Sequence, residues 1–395
     1  MTIEASRDEA LAEPIRLGMV GGGRAAFIGA VHRIAARLDD HYRLVAGALS
    51  SDPARARASA ADLGIDPSRA YGSFAEMAER EAARADGIEA VSIVTPNHLH
   101  APVAAAFLRA GIHVICDKPL SATVAEAEEL VALQRQTGRI FALTHNYTGY
   151  PMVRQARAMV RDGALGTIRL VQMEYLQDWL TEPLESAGSK QAEWRTDPAR
   201  AGAGGCIGDI GTHAYNLGAF VSGLEAEALL ARLTTFVPGR RLDDDVQVLL
   251  RYAGGAQGLL WASQVAVGNE NGLKLRVHGT AGGLEWHQEN PNLLWFTPFG
   301  EPKRLITRGG AGAGPEAARV TRVPAGHPEG YLEGFANIYS EVAAAIRAAR
   351  AGRLPDPAVT FQDLADGLRG MQFIEAAVRS SGDGNVWTAL PAGPR

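Results

Sequence analysis

The chain has 395 residues, of which 46% are hydrophobic and 21% are charged, and its formal net charge is −5. This length is sufficient for two domains with separate cores, and the composition is typical of a globular protein. Lysine and arginine are scattered along the sequence and no apolar run is long enough to span a membrane, so we expect neither a nucleic-acid nor a membrane partner.

The first residues, 1–13, mix acidic residues, serine and arginine with alanine and lack the apolar core of a signal peptide. They are predicted to be a disordered or frayed start. The two cysteines, Cys116 and Cys206, have neither metal-site nor disulfide-framework spacing. This cysteine usage favours a cytoplasmic protein.

Short apolar runs alternate with helical segments in the first part of the chain. Strands that alternate with helices form a parallel sheet with helices on both faces. Residues 14–146 are therefore predicted to form a doubly wound α/β domain of the Rossmann type, which binds its ligand beyond the carboxyl ends of the strands. The predicted strands are Ile15–Val20, Arg43–Leu49, Ala90–Val94, Ile112–Cys116 and Ile140–Leu143.

From residue 147 onwards the pattern changes to β-type runs joined by Gly, Asn and Pro. Such runs favour an antiparallel sheet. Residues 147–395 are predicted to form an α+β domain with a large, mostly antiparallel open sheet. The predicted helices are Pro151–Arg161, Gly208–Val221, Tyr331–Ala351 and Phe361–Ser380, and the predicted strands are Thr167–Leu176, Leu229–Phe236, Val246–Tyr252, Gln257–Val267, Leu273–Gly279 and Leu284–Trp286.

A Gly-rich turn, Gly21-x-Gly23-x-x-Ala26, follows the first strand and opens a helix. Gly21 permits a tight turn, Gly23 lets the backbone approach a pyrophosphate, and Ala26 allows the helix to pack closely on the strand. The N–H groups of the helix N-terminus are suited to binding the anion. The turn is predicted to bind a dinucleotide, and the alternative is a βα turn with no ligand.

The end of the second strand leaves the choice between NAD and NADP open. Ser50 stands where a carboxylate that bonds the ribose 2′-OH of NAD is expected. Serine repels no 2′-phosphate, and Arg24 or Arg55 can pair with one. NAD remains possible if Ser50 or Asp52 bonds the ribose, although Asp52 before a proline is equally suited to capping a helix.

Polar residues also follow the third and fourth strands. Thr95-Pro96-Asn97-His98-Leu99-His100 stands after Val94, where Asn97 and His98 can face the ligand crevice. Helix capping by Thr95 or Asn97 is the alternative. The pair His98-x-His100 lacks a third ligand, so no metal site is predicted. Lys118 follows Cys116 and is either a crevice residue or a solvated charge.

A second polar pair lies in the predicted helix Gly208–Val221. Asp209 and His213 are four residues apart and therefore share one helix face. A cap acid and a core histidine are the structural alternatives to catalysis.

Five motifs occur together in order, and they resemble the glucose–fructose oxidoreductase, inositol dehydrogenase and rhizopine-catabolism family (Gfo/Idh/MocA) over nearly the whole chain. The family's catalytic lysine usually follows Glu, whereas Asp117 precedes Lys118 here. The motifs are the Gly21–Ala26 turn, Thr95-Pro96-Asn97-His98, Asp117-Lys118-Pro119, Trp194-Arg195-x-Asp197-Pro198, and Gly204-Gly205-x-x-x-Asp209-x-Gly211-x-His213.

The resemblance implies an NAD(P)-dependent dehydrogenase that oxidises a secondary hydroxyl of a sugar, glycoside or cyclitol to a ketone. Lys118, Asp209 and His213 are then the acid–base set, and the second domain binds substrate and forms a homodimer or homotetramer through its open sheet. Neutral imidazole is suited to accepting the hydroxyl proton, and an ammonium group stabilises the developing charge on oxygen.

The predicted ligand-binding residues fall into two groups. The cofactor group is Gly21, Gly23, Arg24, Ala25, Ala26, Ser50, Ser51, Arg55, Thr95, Pro96, Asn97, His100 and Lys118. The substrate group, which mixes aromatic faces with hydroxyl-binding groups, is Lys118, Tyr147, Tyr150, Gln177, Asp178, Trp179, Trp194, Arg195, Asp209 and His213.

Two other functions fit the same residues. One is an NAD-dependent glycoside hydrolase that uses transient C3 oxidation and elimination, and the other is a non-catalytic NADP-binding sensor. The segment Gly309–Pro328 is predicted to be either a mobile loop at the site or subunit contact, or a plain surface loop.

Overall fold

The computed structural model describes residues 13–24 and 26–391. Most of the predicted frayed start, residues 1–12, and Ala25 of the predicted phosphate turn lie outside the described residues. The chain forms two compact units. The first comprises the chain up to Ser121 with Ala125–Gly149 and Tyr331–Gly367, and the second comprises Ala122–Val124, Tyr150–Gly330 and the chain from Leu368.

The first unit contains the predicted doubly wound parallel sheet, with five strands in the order β2-β1-β3-β4-β5. All five residues of β3 are buried, as expected for a strand covered by helices on both faces. The prediction of a Rossmann sheet is therefore confirmed. The strands are β1 (Ile15–Gly21), β2 (Tyr42–Ala48), β3 (Ala90–Val94), β4 (His113–Cys116) and β5 (Phe141–Leu143).

Helices connect these strands, and local sequence explains where they begin. Asp52 caps α2, since its side chain accepts from the Arg55 N–H at 2.8 Å and Pro53 takes the first helical position. The capping alternative for Asp52 is thus the one observed. The helices are α1 (Phe27–Leu38), α2 (Pro53–Asp62), α3 (Phe74–Ala82), α4 (His100–Arg109) and α5 (Val124–Thr137), with short 3₁₀ turns at Pro67–Arg69, Asn97–Leu99 and Asn146–Gly149.

A helix from late in the chain completes the core of the first unit. Helix α11 (Tyr331–Arg350) buries Phe335 and Tyr339 in one cluster with residues of β1 and α1. The Tyr339 hydroxyl lies 2.9 Å from both Ser92 Oγ and His32 Nδ1. The domain boundary predicted between residues 146 and 147 placed α11 in the second domain. In the structure, the apolar face of α11 packs on the sheet of the first unit.

The second unit contains a nine-stranded sheet in the order β13-β12-β11-β10-β6-β9-β8-β7-β14. Its pairs are antiparallel except β6 with β9, which confirms the predicted, mostly antiparallel sheet. Three strands, β12, β13 and β14, were not predicted. The strands are β6 (Ile168–Leu176), β7 (Ala226–Thr234), β8 (Asp245–Tyr252), β9 (Gln257–Ser263), β10 (Gly272–Gly279), β11 (Gly282–His287), β12 (Leu293–Pro298), β13 (Arg304–Thr307) and β14 (Thr388–Ala389).

One face of this sheet is covered by helices. Gly218 of α9 lies so close to β6 that an added Cβ would be 2.3 Å from Met173 Sδ, so a larger residue there would have to displace the Met173 side chain. The predicted helix Gly208–Val221 begins instead with a π-helical turn, Ile207–Gly211. The helices are α6 (Pro151–Arg161), α7 (Lys190–Arg195), α8 (Pro198–Ala201), α9 (Thr212–Ser222), α10 (Pro315–Ala318) and α12 (Leu364–Gly382).

The segment Gly309–Pro328 is flanked by a buried ion pair. Arg308 Nη1 lies 3.0 Å from Glu329 Oε1, and the same oxygen accepts from the N–H groups of Arg322 and Val323 at 2.7 and 2.8 Å. Helix α10 lies within the segment. These contacts hold the two ends of the segment together.

Candidate active site

The Gly-rich turn adopts a backbone that requires glycine. Gly21 and Gly22 have φ angles of +78° and +68°, in the left-handed region. An added Cβ at Gly21 would lie 2.7 Å from the Val94 carbonyl oxygen, so the turn lies against the end of β3. Close packing of α1 comes from Gly29, where a Cβ would be 2.4 Å from Gly22 Cα. The packing role predicted for Ala26 therefore belongs to Gly29, and Ala26 is the N-cap of α1.

Side chains from elsewhere in the first unit bind one carbonyl and one N–H group of this turn. Arg33 Nη1 donates to the Gly22 carbonyl at 2.5 Å, and the Arg24 N–H donates to Ser59 Oγ at 3.1 Å. A Cβ at Gly23 would lie 2.6 Å from the Leu49 carbonyl oxygen. Gly23 is therefore needed for packing against the end of β2, in addition to any approach to a pyrophosphate.

Three buried polar atoms at the carboxyl ends of β3 and β5 lack a hydrogen-bond partner among the described residues. They are Thr95 Oγ1, His98 Nδ1 and Asn146 Nδ2. A buried polar group without a partner costs about 1–3 kcal/mol, so such groups are typical of a site that a ligand completes. Together with the glycine turn, these atoms fit a dinucleotide bound across the strand ends.

Lys118 lies in a loop that its neighbour Asp117 fixes. Asp117 Oδ1 accepts from the Lys118 N–H and from Thr144 Oγ1, both at 3.0 Å, which joins the ends of β4 and β5. Burial, and then the charge of Lys118, lowers the pKa of His145 to about 3. His145 is therefore neutral at pH 7. His145 was not predicted from the sequence, and its position two residues after the end of β5 is the available signal.

His100 connects the end of β3 with the Lys118 loop. Its Nδ1 lies 2.6 Å from the Pro119 carbonyl oxygen, and its Nε2 lies 2.8 Å from the Thr95 carbonyl oxygen. Both ring nitrogens thus contact the protein, so this geometry gives no support to direct binding of the cofactor by His100. Among the described residues, no group of three or more His, Cys, Asp or Glu is arranged to hold a metal.

The predicted ribose-binding residues lie at the end of β2. Ser50 Oγ accepts from the Asp52 N–H at 3.1 Å, and Ser51 and Arg55 are exposed. Arg24 forms a two-point pair with Asp62, from Nε to Oδ2 at 2.5 Å and from Nη2 to Oδ1 at 2.7 Å. The Arg24 guanidinium is therefore already engaged by a carboxylate.

In the second unit, Asp209 lies in the π-helical turn and His213 in the first turn of α9. Asp209 Oδ2 accepts from Arg195 Nε at 3.2 Å and from Gln264 Nε2 at 2.9 Å. The His213 ring is buried and meets the edge of Tyr175 at a centroid distance of 6.2 Å. π-helical turns are rare and are frequently found at functional sites.

A buried carboxylate holds the start of this helical segment. Asp243 Oδ1 and Oδ2 accept from the N–H groups of Gly205 and Ile207 at 2.6 and 2.8 Å. Burial raises the pKa of Asp243 to about 6, although these two hydrogen bonds act in the opposite direction. Asp243 was not predicted from the sequence, where the acidic run Asp243–Asp245 is the available signal.

A hydrogen-bonded and stacked series of side chains, which we call the amide–tryptophan array, adjoins Asp209. Asn271 Oδ1 accepts from Tyr175 Oη and from Gln177 Nε2, both at 2.8 Å, and Trp179 Nε1 donates to Gln177 Oε1 at 3.0 Å. Arg195 lies over the rings of Trp179 and Trp194 at 5.9 and 4.2 Å. The members of the array are Tyr175, Gln177, Trp179, Trp194, Arg195 and Asn271.

The array contains four of the predicted substrate residues, Gln177, Trp179, Trp194 and Arg195. The other three predicted residues outside the acid–base set have different surroundings. Asp178 accepts from the Gly268 N–H at 3.0 Å. Tyr150 is 1% exposed and packs edge-on against Trp286, and Tyr147, in the first unit, meets the edge of Tyr331.

The structure therefore defines a dinucleotide-binding Rossmann unit and a second unit that carries an Asp–His pair among amide and aromatic groups. This combination is typical of an oxidoreductase that uses a dinucleotide, and the matching family models agree. Residues 15–145 match the model of the oxidoreductase family with an NAD-binding Rossmann fold, and residues 153–285 match the GFO/IDH/MocA C-terminal domain. The chain belongs to the GFO/IDH/MocA family of oxidoreductases, and its first unit is an NAD-binding domain.

Three relatives illustrate the likeness. An oxidoreductase from Sinorhizobium meliloti is 60% identical, with a TM-score of 0.88 over 95% of this chain and 99% of that chain. An inositol dehydrogenase homolog from Azotobacter vinelandii, solved with NADH and myo-inositol, is 39% identical, with a TM-score of 0.90 over 96% and 98% of the two chains. Levoglucosan dehydrogenase from Pseudarthrobacter phenanthrenivorans is 30% identical over 71% of this chain and 75% of its own length.

No helix in the described ranges is long and apolar enough to cross a membrane.

Proposed function

We propose that this protein is an NAD-dependent dehydrogenase that oxidises a secondary hydroxyl of a sugar or cyclitol to a ketone. The observation that carries the proposal is the amide–tryptophan array next to Asp209. Amide groups exchange hydrogen bonds with hydroxyls, and indole faces pack on the C–H faces of a ring, which suits a polyhydroxylated substrate. The myo-inositol complex of the Azotobacter relative and the levoglucosan dehydrogenase support the same substrate class.

Two groups of residues in the first unit are assigned to the cofactor. The turn from Gly21 to Ala26 holds the pyrophosphate, and Ser50 and Ser51 lie where the adenosine ribose is expected. Thr95 Oγ1 and Asn146 Nδ2, which lack a partner among the described residues, form hydrogen bonds with the nicotinamide half of the cofactor. Pro96 and Asn97 line the same end of the site. We assign His100 a positioning role because its ring nitrogens contact two backbone carbonyls.

The acid–base chemistry is assigned to Lys118, Asp209 and His213. NAD, when bound, supplies the hydride acceptor. His213 takes the hydroxyl proton as neutral imidazole, and the Lys118 ammonium donates to the same oxygen and stabilises its developing negative charge. Asp209, oriented by Arg195 and Gln264, accepts a hydrogen bond from a neighbouring hydroxyl or from the imidazole. The assignment of all three to one reaction rests on their motifs and on this chemistry.

The open face of the second sheet is proposed as the contact with another copy of the chain, giving a homodimer or homotetramer. Large apolar side chains on three adjacent strands stay exposed there: Leu170 of β6, Leu259 and Trp261 of β9, and Leu249 of β8 are 38–52% exposed. Contiguous exposed apolar groups on one face are typical of a protein–protein contact.

The function is tested with Lys118→Met. We expect turnover of the best polyol in a screen that includes myo-inositol and levoglucosan to fall by about two orders of magnitude or more, since a positioned charge-stabilising group is lost. The NAD dissociation constant should change by less than about threefold, which is under 1 kcal/mol. Lys303→Met, at a side chain 48% exposed on the second unit, is the matched control.

Reduced cofactor and keto product are measured together, with nitrophenyl glycosides assayed in parallel. Stoichiometric NADH and ketone support the dehydrogenase. Aglycone release over many turnovers without net NADH, with deuterium entering C2, would overturn it in favour of the redox-cycling glycosidase. NAD or NADP binding without turnover of any polyol would favour a sensor.

A further inference from the structure

The Arg24–Asp62 pair lies beside the expected position of the adenosine ribose. Arg24 directly follows Gly23, whose Cα packs against the Leu49 carbonyl at the end of β2, and its N–H binds Ser59 of α2. In dinucleotide-binding folds, the residues at the end of this second strand contact the ribose 2′-hydroxyl, and a nearby arginine accommodates a 2′-phosphate. Arg24 is therefore a cation within the turn itself, next to the residues at the end of β2.

Asp62, the last residue of α2, holds this cation in a two-point contact. The guanidinium donates through Nε and Nη2 to both carboxylate oxygens, at 2.5 and 2.7 Å. Fork-to-fork geometry of this kind is the strongest arrangement of an arginine with a carboxylate. The hydrogen bond from Arg24 lowers the pKa of Asp62 below its ordinary range, so the carboxylate is ionised at neutral pH.

The residues at the end of β2 do not supply the carboxylate that usually favours the 2′-hydroxyl of NAD over the 2′-phosphate of NADP. Ser50, at the end of β2, carries no charge, and the Asp52 carboxylate is turned to the Arg55 N–H as the cap of α2. An approaching 2′-phosphate would thus meet an arginine whose charge is already neutralised, with the Asp62 carboxylate beside it. A 2′-hydroxyl, which is uncharged, is indifferent to this pair.

We propose that Asp62 is a specificity-determining residue, which acts through Arg24 to favour NAD over NADP. The proposal rests on the NAD use given under Proposed function, but it concerns cofactor binding alone. Side chains of both residues are about half exposed, at 56% for Arg24 and 48% for Asp62, so water screens the pair and a single substitution at Asp62 is sufficient to separate it. The unmasked guanidinium would then be available as a phosphate ligand.

The experiment measures dissociation constants of NAD⁺ and NADP⁺ by calorimetric titration of the whole protein. For Asp62→Asn, we expect the ratio of the NADP⁺ dissociation constant to the NAD⁺ dissociation constant to fall by about tenfold. This gain in relative affinity for NADP⁺ should shrink as the salt concentration rises. Adding Arg24→Ala to Asp62→Asn should return the ratio to the wild-type value. Asp86→Asn is the matched control, because Asp86 is an exposed acid of the same unit that pairs with Arg84 at 2.8 Å.

Three results would overturn the proposal. One is a wild-type ratio in Asp62→Asn with an unchanged melting temperature. Another is a gain that persists in the double variant but disappears with Arg55→Ala, because Arg55 would then be the phosphate ligand. The third is tighter binding of NADP⁺ than of NAD⁺ by the unaltered protein. Failure of the proposed function is distinguishable, since NAD⁺ would still bind while no polyol is oxidised.

Discussion

His213 is a buried imidazole on the same helical segment as Asp209, and its proposed role makes a specific demand on pH. If neutral imidazole accepts the hydroxyl proton, kcat/KM for polyol oxidation rises with pH through an apparent pKa and then levels, because only the deprotonated base is active. That apparent pKa belongs to the coupled acid–base set.

We expect His213→Ala to remove this rising limb and to lower turnover by about two orders of magnitude or more. The measurement is kcat/KM against pH with the substrate found in the screen, using His327→Ala, an exposed histidine of the same unit, as control. A variant whose pH profile matches that of the wild type would exclude His213 as the base.

Asp209 depends on Gln264, a residue of the strand-end region after β9, for one of its hydrogen bonds. We expect Gln264→Leu to lower kcat by about tenfold with little change in KM, because the Asp209 carboxylate loses a hydrogen-bond donor and with it part of its orientation. Gln264→Glu should be impaired more at high pH than at low pH, since two adjacent carboxylates disfavour joint ionisation. Identical pH profiles for the two variants would indicate that Gln264 serves only to pack the site.

At the scale of elements, the π-helical turn Ile207–Gly211 and α9 are tied to the loop before β8 by Asp243. The folded-state pKa of Asp243 is raised from 3.8 to about 6, so the folded protein binds a proton more tightly than the unfolded chain. This group therefore adds stability at low pH, and that contribution is lost as pH rises from about 4 to about 6.

Asp243→Asn tests this sign. The substitution should lower the free energy of unfolding by about 1–3 kcal/mol, because the amide cannot accept from both N–H groups. The deficit relative to the wild type should be larger at pH 4 than at pH 7. Denaturant unfolding at both pH values is the measurement, with Asp178→Asn, a loop carboxylate that accepts one N–H, for comparison. A deficit that grows with pH would contradict the assigned direction.

Sequence patterns predicted the strands whose residues are buried to a similar degree along their length. The parallel strands of the first unit were found because both of their faces are buried, so they appear as continuous apolar runs. Strands β12 and β13 were missed since their residues are mostly half-buried or exposed and give no clear alternation. The π-helical turn was missed because no residue type in it distinguishes it from an α-helix.

Residues of the candidate site were predicted only where a polar or ionisable side chain belonged to a recognisable local motif. Arg195 and Asp209 were predicted as site residues, and the structure brings them into contact. Gln264 and Asn271 contact predicted site residues but are single amides far along the chain, and sequence alone gives no sign of which partner they meet. The same holds for α11, whose partners in β1 lie more than three hundred residues earlier.

At the scale of the whole molecule, the open sheet face predicts association. We expect Leu259→Lys with Trp261→Arg to halve the mass of the assembly, from a dimer to a monomer or from a tetramer to a dimer, because charges replace apolar groups at the centre of the exposed face. Light scattering after size exclusion gives the mass, and Val267→Lys, 75% exposed beyond the end of β9, is the control. An unchanged mass in the double variant, or a monomeric wild type, would exclude this face as the contact.

The return of the chain to its first unit has a consequence during synthesis. Helix α11 contributes Phe335, Tyr339 and Ile346 to the core that also contains Ile15 and Leu17. Each such side chain contributes about 1.5–3 kcal/mol when fully buried. When the five parallel strands have left the ribosome, the helix that packs on them has therefore not yet been synthesised. The NAD-binding unit, although its five strands come first in the chain, can reach full stability only after the intervening part of the second unit has been translated.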